Sequence, residues 1–456
     1  MGISSRTVTI LCYCTLSLGT TNQYLYANDY IDINTTKYIE VIQYSNQKSI
    51  IKKITNYDQE PIYYTPQSKV YNIKFQKSDY QTKYGKIKLY DISKKNKYLN
   101  AINYDHLIID GNISNCQIAI SDRRLFQKED NIKLKVDNNI IDFKDIYQHI
   151  DLTKLKYLIL FDNNDICQIN KLSLTQNNYT TNYNNFTNAT WIWNPDEFTS
   201  STKLKHYNIN TLYIQLTANN KAFINILKSN IKYIYGLNGS PSDIYNHKHL
   251  LQDIKNLSLL KQTYPNIQGY QVDIEPYLLK EYNTKPQIII QQYIKLLKDL
   301  KTHTQKHNLK FSVVIPFWYS QIYYKNRNLA QIVLDIADEV VVMSYRSDLE
   351  KVLNISQDIL RMGIFAHKKV KIGIELMAID DEKHTIYKTI SNVCLKNNHI
   401  DKKCISLEPI RSYTIKGSSI SFHNQIEKLQ GIDTLYIPYQ SFNGFVLHHY
   451  SVLPKY

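Results

Sequence analysis

Residues 269–277 read GYQVDIEPY. Written as a strand, the segment puts Val272 and Ile274 on one face and Gln271, Asp273 and Glu275 on the other. A barrel strand turns its apolar face to the surrounding helices, so the amide and the two carboxyls point into the barrel, a space normally filled by Val, Ile and Leu. Seven further segments have the strand pattern: ATWIWNP from Ala189, TLYIQLT from Thr211, KYIYGLNGS from Lys232, KFSVVIPFWY from Lys310, EVVVMSYRS from Glu339, VKIGIELMA from Val370 and GFVLHHY from Gly444. Amphipathic stretches such as PQIIIQQYIKLLKDLKTHTQKH lie between them, the rhythm of parallel βα units. Eight strands close a barrel, so 189–456 is expected to be a (β/α)8 TIM barrel with its site at the C-terminal strand ends. An open doubly wound sheet is the rival.

Upstream the rhythm changes. Residues 28–176 carry short runs such as YIEVIQY, YDHLIIDG, CQIAISD, YLILFDN and ICQINKLSL between Asn, Asp and Lys clusters. Period-2 runs at this spacing predict a smaller all-β sandwich, jelly-roll-like, serving as a carbohydrate-binding module or as a plain spacer. The stretch 177–188 has no apolar periodicity and reads as the linker. Residues 1–27 have a signal-peptide layout: Arg6, an apolar run from Val8 to Leu18 and a small residue, Ala27, before polar sequence. A buried first strand is the other reading of that run, which is shorter than the ~20 residues a membrane span needs. No later segment is apolar enough to span, so no transmembrane segment is expected beyond the leader.

Over 456 residues, 43% hydrophobic and 21% charged, the composition is that of a folded two-domain chain. The net charge of +15 is dispersed, and without a recognisable motif it does not predict nucleic-acid binding. Cys116, Cys167, Cys394 and Cys404 remain once the leader is set aside, an even count that permits two disulfides, the obvious pairing being one per domain. With no CxxC pair and no clustered His/Cys ligands, neither a metal site nor a cofactor is expected.

The chemistry concentrates on strand ends. Adjacent, part-buried carboxyls raise one another's pKa, which makes a general acid available near neutral pH, so Asp273 and Glu275 are the first catalytic candidates. Glu375 near the end of the seventh strand is the third, because glycosidases need a second carboxyl about 5–5.5 Å away for retention and further for inversion. Sugar sites also need aromatic platforms and convergent polar groups. Trp191, Trp193 and Trp318 lie at proposed strand ends, and Gln215, Asn238, Gln271, Tyr345 and His448 join them as substrate-binding candidates. Arg346 is the cation of the set, suited to neutralising a carboxylate or to gripping an acidic group on the substrate.

GYQVDIEPY resembles the fourth-strand signature of chitinase-like family 18 glycoside hydrolases, Asp-x-x-Asp-x-Asp-x-Glu, and MSYR at Met343–Arg346 is similar to their sixth-strand Met-x-Tyr-Asp. The resemblance puts Glu275 on the acid and Asp273 on the assisting aspartate. Gln268 and Gln271 stand at the two earlier aspartate positions, and Arg346 at the last one. DIEPY, MSYR and the closing GFVLHHY together look closer to bacterial glycoside-hydrolase-like barrel proteins with an N-terminal β-domain. The resemblance implies an exported bacterial protein, periplasmic or secreted, that hydrolyses a polysaccharide or glycoconjugate. A glycan-binding barrel without turnover and a structural or adhesion protein of the cell envelope are the alternatives.

Overall fold

The computed structural model describes Tyr24–Leu25, Tyr38–Tyr44, Ser49–Ile54 and Tyr63–Tyr64, then residues 69–453 apart from 83–84, 94–97, 114–115, 122–138, 148–149, 163–165, 177–185, 187, 200, 217–220, 230, 326, 397–398, 430–431, 433–436 and 438. For the strands before residue 69, and for 82, 85, 283 and 389–407, only the backbone is described.

All eight expected strands form, and they close a parallel barrel in chain order: Asn188–Ile192, Ile209–Gln215, Tyr233–Asn238, Ile267–Val272, Lys310–Pro316, Glu339–Met343, Lys369–Glu375 and Phe442–His448. The open-sheet alternative is excluded by the pairing of the first strand with the eighth, Ala189 opposite Val446. Two side chains reinforce this seam: Asn188 Oδ1 accepts from the Phe445 N–H at 3.1 Å, and Thr190 Oγ1 donates to the Leu447 carbonyl at 2.7 Å.

Alternation decides which side chains line the interior. Ala189, Trp191, Tyr213, Tyr235, Leu237, Val314, Val341 and Val446 pack together inside, while Val272, Val313, Ile315 and Val342 face the helices. The longest helix, Pro286–Lys306, starts on proline, whose fixed φ and missing N–H suit a first turn. It buries Ile289, Tyr293, Leu296, Leu297 and Leu300, one stripe at helical spacing against the barrel.

The smaller domain is a sandwich of two four-stranded antiparallel sheets spanning Val70–Ile73 to Gln168–Thr175. Its sheets share a core that includes Tyr90, Leu158 and Leu160 from one and Leu107, Ile109 and Leu172 from the other. Cys116 and Cys167 form a disulfide joining the starts of one strand from each sheet. The side chains of Cys394 and Cys404 lie outside the described residues. The sandwich docks on the helix Leu349–Phe365 through Arg361, buried to 1% exposure, which donates to the carbonyls of Ile102 and Tyr104 and pairs with Asp105 at 2.8 Å. Its charge is matched and three of its N–H donors are used in these bonds, which helps make a buried guanidinium tolerable.

One element has no counterpart in the sequence-based expectation. After the seventh barrel strand the chain leaves the mouth as a long hairpin, Glu382–Lys396 and His399–Ile415, before returning for the eighth. Tyr38–Tyr44 pairs with it from Tyr38 opposite Lys388 to Tyr44 opposite Glu382, and Ser49–Ile54 extends the sheet, so YIEVIQY belongs here and not to the sandwich. Tyr24–Leu25 pairs on the other side, Tyr24 opposite Ser406; the remainder of 1–27 lies outside the described residues, as does most of 177–188. Among the described residues no helix is long and apolar enough to cross a membrane.

Candidate active site at the barrel mouth

The fourth strand ends at Val272, and Asp273–Glu275 continue from it into a 3-10 turn, Pro276–Leu278. Ile274 stays in the outer core, so Asp273 and Glu275 remain on the interior side. The bend is held by the Asp273 N–H donating to the Asn238 carbonyl at 3.1 Å and by Gly239. Gly239 has φ +145°, and a Cβ there would lie 2.4 Å from the Asp273 carbonyl oxygen, so only glycine lets the third-strand loop pass beneath the carboxylate.

Burial, and then the charge of Glu275, pushes the Asp273 pKa up to about 7. Its Oδ1 is buried without a hydrogen-bond partner. Glu275 is also raised by burial, opposed by a hydrogen bond that Tyr277 donates to its Oε1. Tyr277 is held edge-on by Trp318, ring centroids 4.8 Å apart, and Trp318 lies edge-on to Tyr319 at 5.0 Å. Tyr293, from the long helix, has a buried hydroxyl without a partner, and the charges of Asp273 and Glu275 add to burial in holding it protonated.

Tyr345 ties the two sides of the mouth together. Burial raises its pKa most, followed by the charges of Glu375, Asp273 and Glu275, so its hydroxyl lies within the field of all three carboxyls. Glu375, 4% exposed, has both oxygens occupied: Oε1 accepts from the backbone N–H of Leu376 at 3.0 Å and of Met377 at 2.7 Å, and Oε2 meets His448 Nδ1 at 2.7 Å. Trp193 Nε1 donates to His448 Nε2 at 3.1 Å. His448 is stacked by Tyr345 and touched edge-on by Trp191, at 6.2 and 5.6 Å between centroids.

The candidates thus divide. Asp273, Glu275, Glu375, Trp193, Tyr345 and His448 converge on the mouth, and Trp318 joins through Tyr277. Trp191 and Gln271 lie lower, buried inside the barrel, where Trp191 Nε1 donates to Gln271 Oε1 at 2.7 Å and Gln271 Nε2 donates to Ser312 Oγ at 2.9 Å. Asn238 turns to Asp253, donating to its Oδ2 at 2.7 Å, and Gln215 is half-buried at the end of the second strand. Arg346 donates to the Tyr345 carbonyl at 2.6 Å and lies over the Phe317 ring; no carboxylate of the described residues is within ion-pair distance of it. Three residues escape sequence reading. Tyr277 stands in the quoted motif, two places past Glu275, and only its phenolic hydroxyl marks it as a donor. Tyr293 is disguised as one more apolar position of a helix. Glu339, at the head of a strand, looks like a solvated end but lies 8% exposed inside the barrel.

No protein-family model matches the chain, and no curated protein does. Solved structures similar to it include a chitinase from Chromobacterium violaceum, 12% identical over 59% of this chain and 95% of that one, TM-score 0.35. A spore cortex-lytic enzyme of Bacillus megaterium is 12% identical over 64% and 76%, TM-score 0.33. A class V chitinase mutant from Cycas revoluta, solved in complex with (GlcNAc)3, is 12% identical over 58% and 94%, TM-score 0.32. Chitinases and spore cortex-lytic enzymes recur among the similar solved structures, at low sequence identity.

Proposed function

We propose that the protein is an exported glycoside hydrolase acting on a polysaccharide or glycoconjugate, with Glu275 as general acid/base and Asp273 tuning it. The observation that carries this reading is the pair of carboxyls at the mouth, both raised by burial, with Asp273 near 7. A carboxyl whose proton is retained toward neutral pH can protonate a leaving-group oxygen, and its conjugate base can then activate water. Only one proton is needed between the two groups. When Asp273 holds it, Glu275 is the charged partner; when it passes to Glu275, the acid is armed and Asp273 carries the charge. Tyr277 donates to Glu275 and steadies its ionised form, and Tyr345 offers a hydroxyl on the far side. Trp193 and Trp318 supply aromatic surface at the mouth.

A second reading, a glycan-binding barrel without turnover, is favoured by one observation: both oxygens of Glu375 are already engaged, so it does not stand free as a second reacting carboxylate. The deciding experiment screens wild type beside Glu275→Gln against bacterial and host glycans, reading released reducing ends and thermal shift. Hydrolysis by wild type that falls about a thousandfold in the variant supports the hydrolase. Ligand-induced stabilisation of both proteins without release of reducing ends selects the binding barrel.

A further inference from the structure

We propose that Glu375 is a positioning residue, which acts through His448 to hold the Trp193 indole at the mouth, and that it takes no direct part in bond breaking. The inference rests on the glycan-acting reading above and deepens it. It follows from the donors and acceptors. An indole nitrogen only donates, so His448 Nε2, 3.1 Å from Trp193 Nε1, is the acceptor and carries no proton. The proton is therefore on Nδ1, which donates to Glu375 Oε2 at 2.7 Å. Glu375 is itself anchored by two backbone N–H groups on its other oxygen. The chain of bonds has one direction throughout, Trp193 to His448 to Glu375, and the carboxylate selects the tautomer that lets the imidazole accept from the indole. Tyr345 and Trp191 pack on the imidazole and keep its plane, so little freedom is left to the Trp193 ring.

This arrangement makes Glu375→Gln informative. The two N–H groups require an oxygen at the Oε1 position, so the new amide nitrogen faces His448 Nδ1 and donates to it. The imidazole must then carry its proton on Nε2, opposed to the Trp193 N–H, and the indole is released. A reacting carboxylate behaves differently: the same substitution removes turnover with little change in substrate binding.

The chain has 3 Trp, so its spectrum holds few indole N–H resonances, and Trp193→Phe assigns the relevant one. In 15N-labelled wild-type protein the expected result is a protonated Nδ1 and a bare Nε2 on His448, with a downfield, slowly exchanging Trp193 indole N–H. In Glu375→Gln and, independently, in His448→Phe, which keeps a ring in place, that resonance should move upfield and exchange faster. With a cleaved glycan, Glu375→Gln should raise KM about tenfold and leave kcat within about threefold, and Trp193→Phe added to it should change little more. A wild-type His448 protonated on Nε2, or an unmoved Trp193 resonance in both variants, would overturn the relay whether or not any glycan is cleaved. So would a kcat loss beyond about a thousandfold at unchanged KM in Glu375→Gln. Absence of turnover in wild type counts against the hydrolase alone, since the resonances report on the relay without it.

Discussion

The barrel holds two inward-facing polar sets, one low in its interior and one at its mouth, and they are satisfied differently. In the lower set each group meets a complement. Trp191 donates to Gln271, Gln271 to Ser312, Ser312 to Glu339 at 3.2 Å, Tyr213 to the same Glu339 oxygen at 2.5 Å, and Asn443 to its other oxygen at 3.3 Å. Lys371, buried and lowered by that burial, feels the charge of Glu339 as a compensating influence and donates to the Asn443 carbonyl. At the mouth, Asp273 keeps a carboxylate oxygen without a partner and Tyr293 a hydroxyl, while Asp273 and Glu275 repel each other. Paired polar groups stiffen a fold; buried polar groups left unpaired oppose folding, and at the barrel mouth they fit the ligand site proposed there.

The largest expected effect sharpens this contrast from the mouth side. Glu275→Gln should lose about a thousandfold in turnover while its thermal midpoint stays at or above that of wild type, because a strained charge is removed. The lower set should respond in the opposite way. Glu339→Ala, measured by urea unfolding, should lower stability by about 3 kcal/mol, since it leaves Tyr213, Ser312 and Asn443 without their acceptor in a buried setting. An equal loss of stability from both substitutions would break the comparison.

A smaller effect is expected at Gly239. Gly239→Ala should destabilise by about 1–3 kcal/mol, from a strained φ and a Cβ against the Asp273 backbone, and should displace Asp273 enough to lower turnover as well. A pH dependence follows from the same carboxyl. The folded-state pKa of Asp273 lies near 7, above the ordinary 3.8, so folding favours its protonated form. Its contribution to stability is present in full below about pH 4 and is lost as pH rises through 7. Relative to Asp273→Asn, wild type should therefore gain urea resistance between pH 8 and pH 5, and parallel curves for the two proteins would remove the raised pKa.

Much of the barrel was legible in the chain because barrel strands are local apolar runs, read one at a time. The Glu275 region was legible for the same reason: ionisable residues alternating with Val272 and Ile274 betray an inward polar face. The hairpin was not, because its strands are completed by Tyr38–Tyr44, more than three hundred residues earlier, and no local pattern records such a partner. Gln271 shows the same limit inside the site. Alternation places it correctly on the inner face, but its depth in the barrel, and so its bonds to Trp191 and Ser312 in place of an open pocket, depend on where neighbouring strands lie.

By itself the amino-acid sequence determined the strand count, the inward face of the fourth strand and the cluster of carboxyl, aromatic and imidazole groups at strand ends, because backbone alternation and side-chain chemistry are properties of short segments. Only the tertiary structure decided which of those groups stand paired. Glu375 reads as a second catalytic carboxyl until the turn after it offers two N–H groups and the eighth strand brings His448 alongside. Hydrogen bonding and burial are set by what the rest of the chain folds against a residue, and a segment cannot carry that information alone.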